Sequence, residues 1–190
     1  QKPSKLEIKP LSPEEQAERE KKDRKHAAER LENMGMLIVR DDEGEPIGLR
    51  VVQPNQNIRQ GLRELEELTT LQQLNLTGAG LTDHDLAFLK KFTRLEELIL
   101  SNNRITDKGL SNLEGITSLG ILYLDQTGVT EEGLSTVAKL SGLEALNLNQ
   151  LPIGDRGVAK LNDLARLNHL ELTHTKITDE GVKQLAAHHP

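Results

Sequence analysis

The sequence contains neither cysteine nor tryptophan. Without cysteine there is no disulfide framework, thiol nucleophile or thiolate metal site. Aromatic side chains make up only 2% of the chain, and Phe88, Phe92 and Tyr123 are all of them. Any core must therefore be built from aliphatic residues. No apolar run approaches the roughly 18 residues of a helical membrane span. Positive charge is also in deficit, with 24 Lys+Arg against 30 Asp+Glu for a net −6. That balance argues against a nucleic-acid binder. At 35%, the apolar fraction is low for a globular chain. The 190 residues fit one domain, alone or with an extension. Gln1 in place of Met is what a processed product or an excised segment would show, and no signal peptide can be read. Absent cysteine suits both the cytosol and an exported protein.

What is present is a repeat. Leu71, Leu95, Leu119, Leu143 and Leu167 are each 24 residues apart. Leu74, Leu98, Leu122, Leu146 and Leu170 keep the same step, as do Leu76, Leu100, Leu124, Leu148 and Leu172. Three more aliphatic columns run in phase, beginning at Leu81, Leu86 and Leu89. Within a repeat, Leu98 and Leu100 have the period of a strand. Leu110, Leu113 and Ile116 follow one helical face. Each repeat is thus expected to be a strand, a turn and a short helix. Thr82-Asp83, Thr106-Asp107, Thr130-Glu131, Gly154-Asp155 and Thr178-Asp179 mark the helix starts. Threonine can cap free amides there, and an acid suits the positive helix end. A lone unit cannot bury both faces of its leucines, whereas a stack of units can.

The run Leu95-Glu96-Glu97-Leu98-Ile99-Leu100 through Ile105-Thr106-Asp107-Lys108-Gly109-Leu110 resembles the leucine-rich repeat family. It is most similar to the T-D-x-G-L subtype of F-box-type and bacterial repeat proteins. The resemblance implies an α/β fold: a right-handed solenoid with a parallel sheet on its concave face and short helices on its convex face. It also implies protein recognition through the concave sheet, and it tilts the compartment toward an exported or periplasmic bacterial protein. The family's Asn/Cys ladder position holds Ala79, Asn103, Thr127, Leu151 and Thr175 here, so Thr hydroxyls or water must satisfy most of those turns.

Ahead of the repeats, residues 1–11 read as a flexible lead-in. Residues 12–52 read as a helix and hairpin that cap the solenoid, which occupies 47–190 as one degenerate and five regular repeats. Ser12-Pro13-Glu14-Glu15 opens the helix, Gly35 ends it, and the charged run Glu18 to Lys25 is expected to be solvated. Gly44 marks the hairpin turn. Ile47 and Val52 fall 24 residues before Leu71 and Leu76 and are expected in the same core columns. The last repeat has no matching cap. Its strand edge is expected to meet further chain or a second copy.

Strand alternation turns fifteen side chains to the concave face. They are Gln73, Asn75, Thr77; Glu97, Ile99, Ser101; Ile121, Tyr123, Asp125; Ala145, Asn147, Asn149; and His169, Glu171, Thr173. None is Lys or Arg, which excludes a duplex-binding wall. Ile99, Ile121 and Tyr123 beside Glu97 and Asp125 form the candidate partner-binding cluster, an apolar spot with an acidic rim. The expected partner is a protein with a neutral or basic surface. His169, Glu171 and His174 are the one metal-like grouping and are read as polar surface. Phe88 sits in an otherwise polar column and is expected exposed or covered by the N-terminal cap. No catalytic set, phosphate loop, metal site or cofactor motif is expected, so the chain reads as a non-enzymatic module. The alternatives are a structural spacer, a homodimer through the C-terminal edge, or an adaptor region of a larger enzyme.

Overall fold

The computed structural model describes residues 11–53 and 58–188. All of the expected lead-in except Leu11 lies outside them. The first helix, α1, runs Pro13–Asn33 and opens with a capping box. Ser12 Oγ accepts from the Glu15 amide at 3.2 Å, and Glu15 Oε2 accepts from the Ser12 amide at 2.8 Å. The Ser12 backbone N–H, then its hydroxyl, holds the Glu15 carboxyl below its usual range. Gly35, at φ 86°, turns the chain out of the helix.

Strands β1 (Leu37–Arg40) and β2 (Pro46–Arg50) form the expected antiparallel hairpin. Its turn is closed by Asp41 Oδ1, which accepts from the Glu43 and Glu45 amides at 3.0 and 2.9 Å. Five more strands follow: β3 (Gln73–Asn75), β4 (Glu97–Ile99), β5 (Ile121–Tyr123), β6 (Ala145–Asn147) and β7 (His169–Glu171). All seven lie in one sheet in chain order, parallel from β2 onward.

From β3 to β7 the register step is 24 residues, as in Leu74↔Leu98↔Leu122. From β2 to β3 it is 25, with Leu49 opposite Leu74. The degenerate repeat therefore carries one extra residue between strand and helix. Pro46 and Val51 take the places expected of Ile47 and Val52, and Leu49 falls in the column of Leu74. Val51 is buried while Val52 is 57% exposed. The helical half keeps step 24, since Leu65 and Leu68 are fully buried like Leu89 and Phe92.

The convex layer is thinner than expected. Its α-helical pieces are single turns: α2 (Leu62–Leu65), α3 (Asp107–Leu110), α4 (Leu134–Val137) and α5 (Asp155–Val158). Residues Asp83–Lys91 form only a 3₁₀ helix. Two full turns appear only in the last helix, α6 (Asp179–Ala186). With 24 residues to close each coil, the tighter 3₁₀ geometry covers the distance in fewer residues.

The core is one continuous column of aliphatic side chains. Leu74, Leu98, Leu122 and Leu146 have no exposed surface, nor do Leu76, Leu100, Leu124 and Leu148. Each such burial contributes on the order of 1.5–3 kcal/mol before chain entropy is charged. Phe88 is buried rather than exposed, edge-on to Phe92 with ring centroids 5.6 Å apart. Helix α1 closes the N-terminal end with Ala27, Ala28 and Leu31, all fully buried. Its charged half is not wholly solvated. Arg24 Nε donates to Glu45 Oε2 at 2.9 Å, with Lys21 3.6 Å from the same carboxylate, and this pins the hairpin turn to the helix.

Candidate functional site

The strand registers define the concave wall row by row. One row reads Val39, Gly48, Gln73, Glu97, Ile121, Ala145, His169. The next reads Leu37, Arg50, Asn75, Ile99, Tyr123, Asn147, Glu171. Thr77, Ser101, Asp125, Asn149 and Thr173 continue the alternation beyond the strand ends. Glu97 thus sits beside Ile121, and Ile99 beside Tyr123. Asp125 lies one step past Tyr123 and accepts a hydrogen bond from Ser101 Oγ. The five candidate residues are contiguous, and each is half-buried.

Two of the fifteen expected outward positions are covered. Ser101 is 5% and Asn147 7% exposed. Both lie in concave rows, yet larger neighbours bond across them: Asp125 takes the Ser101 hydroxyl, and Glu171 takes the Asn147 amide at 2.9 Å. Asn149 Nδ2 donates to the same Glu171 oxygen at 2.6 Å, and the His169 ring lies 3.3 Å from the other. Glu171 is thereby committed to amides. His174 occupies the left-handed turn position at φ 59°. Among the described residues no group of three could hold a metal ion.

The hairpin adds what the fifteen positions omit. Leu37 and Val39 project onto the same wall, 52% and 42% exposed. Arg50, the last residue of the sheet's second strand, stands in the row with Ile99 and Tyr123 and is exposed. The wall is therefore not free of cations, as a reading confined to the regular repeats implies. Strand alternation in Met36 to Val39 was the available signal. What hid it was the hairpin's antiparallel return and the 25-residue offset of β2.

Behind the wall, the capping acids do more than expected. Four of the five staple the next repeat. Asp83 accepts from the Thr106 amide at 2.7 Å and hydroxyl at 2.6 Å. Asp107 does so with Thr130 at 2.8 and 2.7 Å, and Asp155 with Thr178 at 2.8 and 2.7 Å. Glu131 reaches the Gly154 amide at 2.8 Å, where no hydroxyl exists. The Thr178 backbone N–H, then its hydroxyl, holds the Asp155 carboxyl below its ordinary value of 3.8. The repeated glycines make room for these carboxylates. A Cβ on Gly109 would stand 2.5 Å from Asp83 Oδ1, and one on Gly133 or Gly181 would collide with Asp107 or Asp155.

The ladder position behaves as the side chains allow. Asn103 Oδ1 accepts from the Leu81 amide at 2.9 Å, and Nδ2 donates to Leu76 and Leu100 carbonyls at 2.8 and 2.9 Å. Thr127 and Thr175 donate to the Leu124 and Leu172 carbonyls at 2.6 and 2.7 Å.

A family model described as leucine-rich repeat matches residues 93–113 and 166–186. Each matched segment takes in one strand of the stack and the helical turn that follows it. Those two segments are leucine-rich repeats. A search of curated proteins finds no match. Among solved structures, internalin C2 of Listeria monocytogenes is similar over 64% of this chain at 28% identity, with a TM-score of 0.54. The chain spans about half of that protein, 51% of its length. The internalin inlF of the same organism is 25% identical over 65% of this chain and 41% of its own, with a TM-score of 0.48. The repeats in hand thus share an internalin-like stack of parallel strands, and no described helix is long and apolar enough to cross a membrane.

Proposed function

We propose that this leucine-rich repeat chain is a non-enzymatic protein-binding module that works through its concave sheet. Ile99, Ile121 and Tyr123 are the anchors. Glu97 and Asp125 select against acidic partners and favour neutral or basic ones. The observation that carries this reading is the direct register pairing of Glu97 with Ile121 and Ile99 with Tyr123, which gathers a half-buried apolar centre beside carboxylates. An aromatic and aliphatic centre inside a polar rim is how interfaces concentrate their energy. The likeness to a Listeria protein supports a bacterial setting. The test is the double change Ile99→Ala, Tyr123→Ala. Partner binding should fall at least a hundredfold while the far-ultraviolet dichroism stays unchanged. Undiminished binding by a folded double variant would remove the reading.

One specific observation favours a second reading, self-association through the C-terminal edge. Leu170, Leu172 and Ile177 are only partly buried where their counterparts in the preceding repeats have no exposed surface. Val182 is 48% exposed beside them. Sedimentation over a hundredfold concentration range decides it: a mass that doubles, and fails to do so in Val182→Glu, supports the dimer. The same edge would serve equally in a spacer or in an adaptor region of a larger enzyme.

A further inference from the structure

We propose that the N-terminal hairpin is a second subsite on the concave wall, one that takes an aliphatic side chain next to a carboxylate from an extended partner segment. This rests on the concave-face reading above and adds to it a direction and a charge order.

Leu37 and Val39 are among the most exposed large apolar side chains of the described residues. They border a groove of about 260 Å³ with Arg50, Gln73 and Asn75, and Glu97, two strands away from Arg50, lines its far side. Its floor is Gly48, directly opposite Val39, where a Cβ would stand 3.1 Å from the Val39 Cβ. The glycine keeps the floor free of a side chain between Val39 and Gln73. Across the rest of the wall the charged side chains are Glu97, Asp125 and Glu171. A partner carboxylate is repelled at all three. Arg50 is the one Lys or Arg in the two strand rows, so the hairpin end is the one place on this wall that suits a carboxylate. Among the described residues, no carboxylate is bonded to it.

The two subsites are separated by a definite distance. Neighbouring strands lie about 4.8 Å apart, so β2 and β5 are about 14 Å apart. An extended chain rises about 3.3 Å per residue, so about four residues bridge them. The matching partner segment carries an acidic residue beside an aliphatic one, then about four residues later a basic residue beside a second apolar one. It lies across the strands with its acidic end over the hairpin. A segment of reversed charge order meets Glu97 and Asp125 with its acid and Arg50 with its base.

A phage library displaying random linear 12-residue peptides, selected on the immobilised protein, tests this. Selected sequences should share the acidic–aliphatic pair and a Lys or Arg about four residues away. A synthetic, fluorescein-labelled consensus peptide should bind Arg50→Glu at least tenfold more weakly than wild type, and Leu37→Ser/Val39→Ser likewise. Arg50→Gln should fall in between, and fresh selection on Arg50→Glu should lose the acid but keep the base. Binding that needs Ile99 and Tyr123 yet ignores Arg50→Glu and Leu37→Ser/Val39→Ser overturns the hairpin subsite and leaves the concave-face reading standing. Binding indifferent to Ile99→Ala/Tyr123→Ala overturns that reading instead. Selection that yields no charge-ordered consensus overturns the subsite as well.

Discussion

The two ends of this stack face the same physical problem and meet it differently. At the N-terminal end, helix α1 covers the first coil. Ala27, Ala28 and Leu31 are fully buried against it, and so are Ile58, Leu65 and Leu68. At the other end the column continues in sequence but not in burial. Leu124 and Leu148 have no exposed surface, whereas Leu172, the next in the column, is only partly covered. Asp179 stands where Asp83, Asp107 and Asp155 stand, with no following threonine among the described residues to staple. Identical residues thus do unequal work, because in a solenoid each unit is stabilised by its neighbours on both sides.

That comparison can be sharpened by mutation. The largest effect is expected from Leu124→Ala, which empties a fully buried site and should cost about 2–5 kcal/mol in urea unfolding. Leu172→Ala should cost less than half as much, because a partly exposed site loses less apolar burial. Equal losses would mean that the last coil is covered in solution.

Gly109→Ala comes next. Its methyl would press on Asp83 Oδ1, Ile105 and Leu86, and overpacking of this kind costs about 1–3 kcal/mol. The double variant Gly109→Ala, Asp83→Ala should recover part of the loss, since the carboxylate that collides is gone. Additive losses in that cycle would show that the glycine does not serve the staple.

The smallest effect concerns pH. The Asp155 carboxyl is depressed by the Thr178 amide and hydroxyl. A depressed folded value means that its contribution is complete above the ordinary 3.8 and fades as pH falls through the folded value. Wild type should therefore melt at higher temperature than Asp155→Asn near neutral pH, and the two should converge in strong acid. A gap between wild type and Asp155→Asn that persists in strong acid would assign the role of Asp155 to shape rather than charge.

Much of this architecture was legible in the residues. The leucine columns, the Ser12 capping box, the Gly35 stop and the Gly44 turn all depend on local spacing or backbone freedom, and a sequence displays both directly. The candidate cluster was legible for the same reason: a constant step of 24 places Ile99 beside Tyr123 without any coordinates. Ile47 and Val52 were misplaced, and Arg50 went unnoticed, because one additional residue in the first coil shifts every side chain of β2 to the opposite face. Phe88 could be read only as exposed or covered, because its column is polar elsewhere; the ring of Phe92 against it is what the spacing does not show. The acids at the helix starts looked like caps for their own helices. Their actual partners lie 23 residues away, in the next coil.

The sequence by itself determined the repeat length, the identity of the core columns and the charge of the regular part of the wall. These follow from periodicity, because the backbone of a strand or a turn converts spacing into direction. Only the tertiary structure decided that α1 covers the first coil, that the hairpin lends Leu37, Val39 and Arg50 to the concave face, and that the glycines and acids form one inter-repeat staple. Those are properties of neighbouring coils in contact, and contact depends on the register between them, where one inserted residue changes the answer.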